Sequence, residues 1–223
     1  LCVDNLRPND ARAVFKNTLF DFINYKRLKM FVSMQSPDAI SGQVSAFLRI
    51  GTDLTDNYYE IENTGLTQTQ KGQSLDTEIW PMENEFDIEF DLVKQVKTER
   101  DRQGKSLNDR FTMLITSSTG KVYKITVMGR PDQSATMVTM IGVRNTSLTN
   151  KTFCIWVNEL RASGFDQTSG EAAIGKLGLK LADLGTIQMN GSFKNYGFGG
   201  VQAKISERSR ENNVEYGITA NLN

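Results

Sequence analysis

The sequence predicts an all-β protein in two parts, a jelly-roll-like β-sandwich over residues 1–166 and a set of amphipathic antiparallel strands over residues 167–223. Gly, Asn, Asp and Ser interrupt the chain at short intervals, which is typical of many short strands. No run approaches the roughly 20 apolar residues of a membrane helix. After Gly170 the alternation of apolar and polar residues becomes regular, which marks the change from the first part to the second.

The candidate strands of the first part are runs rich in β-branched and aromatic residues. They occupy residues 29–35, 43–50, 57–62, 121–129, 136–143 and 152–161, with further candidates at 13–22 and 111–116. Strands this short and numerous must cover each other's apolar faces in two layers. The first part is therefore expected to be a sandwich.

In the segment 85–96 the spacing of the apolar residues changes from that of a strand to that of a helix. Phe86, Ile88 and Phe90 alternate with acidic residues, which predicts a strand. From Asp91 onward the apolar spacing suits one or two helical turns, with Asp91 as the cap. Residues 63–77 and 98–108 are polar and contain Gly, so both are expected to be exposed loops.

The second part contains three segments of about ten residues, with a tight turn at residues 183–185 between the first two. One face would carry Leu177, Leu179, Leu181, Ile187, Met189 and Phe193, and the other Lys176, Lys180, Gln188, Asn190, Ser192 and Lys194. Ten residues at about 3.4 Å each, tilted near 45°, rise about 24 Å, close to the apolar band of an outer-membrane barrel. These strands therefore resemble an outer-membrane β-barrel wall. An amphipathic meander lying on a soluble sandwich is the alternative.

Composition and charge exclude several classes of function. The chain has 26 Lys+Arg, 26 Asp+Glu and no His, which excludes His-dependent nucleophile pairs and the usual Cys/His zinc sites. Balanced charge argues against nucleic-acid binding. The segment GEAAIGKL at 170–177 nearly matches a phosphate-binding loop, but Leu177 replaces the hydroxyl that would hold Mg²⁺. We expect no enzymatic activity and no cofactor.

Tyr58, Tyr59 and Trp80 could form a sugar-stacking platform on the sandwich, which makes a surface carbohydrate-binding module the alternative function. Trp80 precedes Pro81 at a loop end and is the best candidate for exposure. Trp156 lies in an apolar run and is expected in the core. Ordinary packing is the competing explanation for all of these aromatic residues.

Two further features leave alternatives open. The acidic row at residues 83–91 is expected to be a solvated face, although several close carboxylates could also bind calcium. Cys2 and Cys154 could form a disulfide or remain free and buried, and their spacing does not decide between the two.

Several motifs resemble the SprA/Sov family, the outer-membrane translocon of the type IX secretion system in gliding and related bacteria. They are LRPNDAR (6–12), YKRLKMFV (25–32), FLRIGTD (47–53), DNYYE (56–60), IWPMEN (79–84), WVNELR (156–161), KLAD (180–183) and SERS (206–209). The resemblance spans nearly the whole chain but only a small part of the much longer family protein. We therefore expect an internal segment of a longer protein.

The resemblance implies a role in protein secretion and gliding motility rather than a catalytic site. Its expected partners are secreted cargo proteins with a C-terminal signal, other type IX components at the barrel wall and outer-membrane lipid. The apolar face of the second part would meet lipid and its polar face a wet lumen. The sandwich would be periplasmic or extracellular, and the rule that short turns of such barrels are periplasmic favours the extracellular side.

Overall fold

A computed structural model describes residues 1–70, 72–166, 169–203 and 207–222, and it divides the chain into two compact units, Leu1–Phe165 and Asp166–Asn223. The predicted boundary at residues 166 and 167 adjoins Gln167 and Thr168, which lie outside the described residues, as does Ser206 of the SERS motif. Both units are built from antiparallel strands, so the predicted all-β class is confirmed.

Over its described residues, the first unit contains ten strands and two α-helices. The strands are β1 (Cys2–Leu6), β2 (Ala11–Phe20), β3 (Tyr25–Gln35), β4 (Val44–Gly51), β5 (Tyr58–Asn63), β6 (Phe86–Glu89), β7 (Phe111–Thr116), β8 (Val122–Met128), β9 (Thr136–Asn145) and β10 (Lys151–Phe165). The helices are α1 (Asp76–Ile79) and α2 (Phe90–Arg102), with a 3-10 turn at Met82–Asn84.

These strands form two sheets that share one core. The four-stranded sheet has the order β1-β10-β3-β6, and the six-stranded sheet has the order β2-β9-β4-β5-β8-β7. Alternate side chains of each strand point inward, as Leu28, Met30 and Val32 do on β3, and they join Leu48 and Ile61 of the other sheet in a single buried cluster. Burying each large apolar side chain contributes roughly 1.5–3 kcal/mol. The first unit is therefore sandwich-like.

A disulfide joins Cys2 to Cys154. The two residues are direct partners in the register between β1 and β10. The bridge therefore links the first and the last strand of the first unit. It closes a loop with a sequence separation of 152. Closing a loop of this length lowers the conformational entropy of the unfolded chain. In the chain-entropy model this stabilises the fold by about 5 kcal/mol.

Helix α2 is longer than the one or two turns that the sequence predicted, because it extends over 13 residues and includes part of the expected loop 98–108. Its buried face carries Phe90, Val93, Val96 and Arg100, which recur at the helical period. The predicted cap is wrong as well, since the cap residue is Glu89 and its side chain makes no capping hydrogen bond. Helix α1 likewise occupies the end of the expected loop 63–77.

The second unit is a three-stranded sheet of β11 (Ala172–Leu181), β12 (Gly185–Lys194) and β13 (Asn213–Leu222), in that order. A 3-10 turn at Ala182–Leu184 joins β11 to β12. All three strands have ten residues and pair without a register shift. Every residue of β12 therefore has a direct partner on both sides.

Candidate functional site

The strand register places all six predicted apolar residues of the second unit on one face of its sheet. Leu177 pairs with Met189, which pairs with Ile218, and Leu179 pairs in the same way with Ile187. Directly paired residues share a face of the sheet, so these rows form one apolar surface. Leu177 is 52% exposed, and Leu179, Leu181, Met189 and Phe193 are exposed as well. Such a surface is unusual in a protein that is surrounded only by water.

The opposite face of the same sheet is polar. Lys176 pairs with Asn190, and Asn190 pairs with Gly217, where a Cβ would lie 2.8 Å from the Asn190 side-chain oxygen. Lys180, Gln188, Ser192 and Lys194 project to the same side. Ile174 breaks the pattern, because it lies on the polar face and is 78% exposed. The sheet thus has two chemically different faces, as the alternation predicted, and whether they meet lipid and a lumen stays a prediction.

The segment between β12 and β13 holds two exposed aromatic residues, Tyr196 and Phe198. The backbone N–H of Gly197 donates to the carbonyl of Ser209, and the N–H of Ser209 donates to the carbonyl of Phe198, both at 2.7 Å. The N–H of Tyr196 donates to the side chain of Asn212 at 2.8 Å. These bonds hold the aromatic pair just beyond the end of β12, where interfacial aromatic residues lie in membrane barrels.

The predicted aromatic platform is not formed, since Tyr58 and Tyr59 are each only 3% exposed. Tyr59 belongs to the core, and the guanidinium of Arg49 covers the ring of Tyr58 at 4.1 Å from its centroid. Trp80 remains partly exposed and lies 6.4 Å from the ring of Phe31.

Trp156 also differs from its prediction, because it is 46% exposed rather than buried. On β10, Phe153 and Ile155 point into the core, so the pleat directs Trp156 to the outer face of the sheet. All five residues at 153–157 are apolar, so the sequence has no alternation there that would show which of them point outward.

Part of the acidic row already has cationic partners. Arg27 Nε lies 2.7 Å from Asp87 and Arg27 Nη1 lies 2.5 Å from Glu89, while Lys29 Nζ lies 3.0 Å from the second oxygen of Asp87. Burial alone would raise the pKa of Asp87, but the hydrogen bonds from Arg27 and Lys29 outweigh it and hold that pKa below its usual value. These carboxylates are therefore neutralised by the protein itself.

Lys121 lies beside the first residues of the acidic row. It lines a cavity of about 620 Å³ together with Glu83 and Glu85, and its ammonium group donates to the backbone carbonyls of both residues. Burial lowers the pKa of Lys121 to about 8, although the nearby carboxylates act in the opposite direction. Within the described part of the chain, no three His, Cys, Asp or Glu side chains converge as metal ligands.

A buried charge network on the outer face of the six-stranded sheet was missed by sequence reasoning. Glu60 is 2% exposed and contacts Arg49 at 2.5 Å, Arg110 at 3.0 Å and Arg144 at 3.2 Å. Arg144 also contacts Glu62, which accepts a 2.5 Å hydrogen bond from Ser45. The network is structural, since each carboxylate is enclosed by its partners. The alternation of Glu60 and Glu62 on β5 was the only signal that the sequence offered.

Comparison with known proteins identifies a related family. The family model SprA_N, described as motility related/secretion protein, matches residues 1–223. No curated protein matches the chain. None of the helices in the described ranges has the length and apolar character that crossing a membrane requires.

Proposed function

Because this chain belongs to the SprA_N family of motility related/secretion proteins, we propose that it is a structural segment of a protein-conducting translocon of an outer membrane. Residues 172–222 would be part of a β-barrel wall. The observation that carries the proposal is the two-faced sheet of β11, β12 and β13, which exposes an apolar surface on one side and a polar surface on the other. A barrel strand needs both, since one side meets hydrocarbon and the other meets water.

The apolar side would contact outer-membrane lipid. Its central row consists of Leu177, Met189 and Ile218, all of them exposed and uncharged. The backbone groups of β12 pair with both neighbours, as hydrocarbon requires of a spanning strand, and the outer edges of β11 and β13 would pair with further strands of the wall. Tyr196 and Phe198 would lie at one membrane interface.

The polar side would line the path of secreted proteins that carry a C-terminal signal. Lys176, Asn190 and Gln188 offer hydrated groups, and hydrated groups do not retain the apolar patches of a passing protein. Other type IX secretion components are proposed to bind elsewhere on the barrel wall. The chain itself supplies shape and wettability and performs no chemistry in this proposal.

The sandwich would be a jelly-roll domain inserted between barrel strands and located outside the cell. The orders β1-β10-β3-β6 and β2-β9-β4-β5 support this topology, because they match two interleaved Greek keys with β7 and β8 added as a hairpin at one edge. The position outside the cell rests on the short turn between β11 and β12, since short turns of such barrels are periplasmic.

The test places one charge on each face of the same strand in the full chain. Met189→Lys puts an ammonium group in the middle of the apolar face, whereas Gln188→Lys puts it on the polar face one residue away. We expect Met189→Lys to weaken partitioning into phosphatidylcholine vesicles by about 2–4 kcal/mol and Gln188→Lys to leave it unchanged. Flotation of the purified protein over a range of lipid concentrations measures both.

Two outcomes would contradict the proposal. If both variants partition equally, the two faces do not differ in their contact with lipid. If the unmodified chain stays monomeric in buffer without detergent and does not float with vesicles, the apolar face has no lipid partner.

A further inference from the structure

We propose that a groove on the outer face of the four-stranded sheet binds a neutral oligosaccharide, with Trp156 as its stacking platform. The groove lies between β3, β10 and the segment at residues 68–70, and its volume is about 460 Å³. This volume falls within the range of small-molecule sites, roughly 300–1,000 Å³. The site belongs to the first unit and does not depend on the proposed barrel wall.

The chemistry of the groove selects the class of ligand. The ten lining residues that the structure describes are all uncharged, and they include Gln35, Ser36, Gln68, Gln70 and Thr152. Amides and hydroxyls both donate and accept hydrogen bonds, which matches the hydroxyl groups of a sugar. Because none of these described residues carries a charge, they give no advantage to an acidic or a basic ligand. The preferred ligand is therefore a neutral molecule rich in hydroxyl groups.

Trp156 supplies the apolar contact that such a ligand requires. It is 46% exposed and faces the groove side of β10, opposite Ser33 of β3, whose hydroxyl lies 3.1 Å from that of Thr69 in the groove wall. The indole ring combines a large apolar face with one polar N–H, which suits the C–H face of a sugar ring with its flanking hydroxyls. The disulfide at Cys154, two residues away, holds this stretch of β10 to β1.

The amides of the groove differ in their availability. Gln68 Nε2 already donates to the carbonyl of Ser36 at 2.5 Å, which fixes one wall of the groove. The Gln35 side chain lies next to Cys154 in the strand register and has no hydrogen-bond partner among the described residues. Gln35 is thus positioned to bond a ligand that stacks on Trp156.

The experiment is affinity electrophoresis of the full chain in gels that contain dextran, laminarin, xylan or galactomannan, with alginate as the acidic comparison. We expect saturable retardation by at least one neutral polysaccharide and none by alginate. Trp156→Ala should weaken the affinity at least tenfold, and Trp156→Phe should weaken it less, because it keeps a ring.

The control is Phe15→Ala, which removes a 61% exposed aromatic ring from the six-stranded sheet. Its affinity should equal that of the unmodified chain. Circular dichroism of each variant separates loss of binding from loss of folding. The proposal is overturned if none of the neutral polysaccharides binds, if alginate binds equally, or if folded Trp156→Ala retains full affinity. None of these results bears on vesicle partitioning, so the two proposals fail independently.

Discussion

At the scale of single residues, Glu60 is the most constrained charge in the sandwich. It is enclosed by three guanidinium groups on an otherwise tightly packed sheet. Removing one member of a buried ion pair leaves the partner uncompensated, which usually costs more than the pair contributes. The sequence analysis placed Glu60 only within a candidate strand at residues 57–62, since nothing in the local pattern indicates that arginines from β4 and β9 cover it.

We expect Glu60→Ala to lower the free energy of unfolding by about 3–5 kcal/mol, because three arginines lose their shared carboxylate. Urea denaturation of the full chain measures the change. Glu159→Ala is the matched control, since Glu159 pairs with Arg161 at an exposed position and should change stability by less than about 1 kcal/mol. Equal effects of the two substitutions would show that the Glu60 network contributes no more than a surface pair.

Asp53 makes the stability of the sandwich depend on pH. Its carboxylate accepts hydrogen bonds from the backbone N–H groups of Thr55, Asp56 and Asn57 and from the Asn57 side chain. Burial acts to raise the pKa of Asp53, but these bonds prevail and lower it from 3.8 to about 2. A carboxyl whose pKa is lower in the folded state stabilises the fold above its unfolded value and loses that effect as the pH falls.

The free energy of unfolding should therefore decrease between about pH 4 and pH 2, and Asp53→Asn should reduce this decrease. Thermal unfolding followed by circular dichroism at several pH values measures it. The same substitution at Asp4, an exposed residue of β1, provides the comparison. A pH profile that Asp53→Asn leaves unchanged would contradict the assignment.

At the scale of elements, the sequence prediction was most accurate where apolar and polar residues follow the period of a strand or helix most regularly. The strands of the second unit alternate almost without exception, so the residues that share each face could be derived from the sequence. Helix α2 was predicted too short because Arg100, a charged residue, continues its buried face. The exposure of Trp156 was missed for the opposite reason, because an apolar residue points outward. In both cases tertiary contacts overrode residue type.

Arg100 connects helix α2 to the turn that follows β8. It is fully buried, and its Nη1 donates to the carbonyl of Gly129 at 2.5 Å. Gly129 has a φ of +62°, and a Cβ there would lie 1.9 Å from the carbonyl oxygen of Asp56, so glycine is required at this turn. The contact therefore joins a helix to a turn with little freedom to adjust.

We expect Arg100→Met to lower the free energy of unfolding by about 1–3 kcal/mol, since the Gly129 carbonyl is left buried without its charged donor. Arg102→Met, on the exposed side of the same helix, should leave it nearly unchanged. Guanidinium denaturation of both variants provides the measurement. A smaller loss at Arg100 than at Arg102 would mean that α2 is held by its apolar contacts alone.

At the scale of the whole molecule, the two units differ in how much of their apolar surface they bury. The sandwich covers its apolar side chains with a second sheet, whereas the three-stranded sheet leaves Leu177, Met189 and Ile218 exposed. Periodicity revealed this difference in the sequence, because alternation predicts which side chains share a face. It did not reveal the groove at Trp156 or the enclosure of Glu60, since both depend on side chains brought together from distant strands.

The Cys2–Cys154 bridge also has a mechanical consequence. A tension applied to the chain at the two ends of the sandwich enters near Cys2 and leaves through β10, so the covalent bond carries it across. The residues between the two cysteines, with a separation of 152, would span about 500 Å if stretched out. They lie outside the path of the force. A pulled polypeptide would therefore lengthen on either side of the sandwich, and within the sandwich the load would fall on β10 beyond Cys154 and on its pairing with β3.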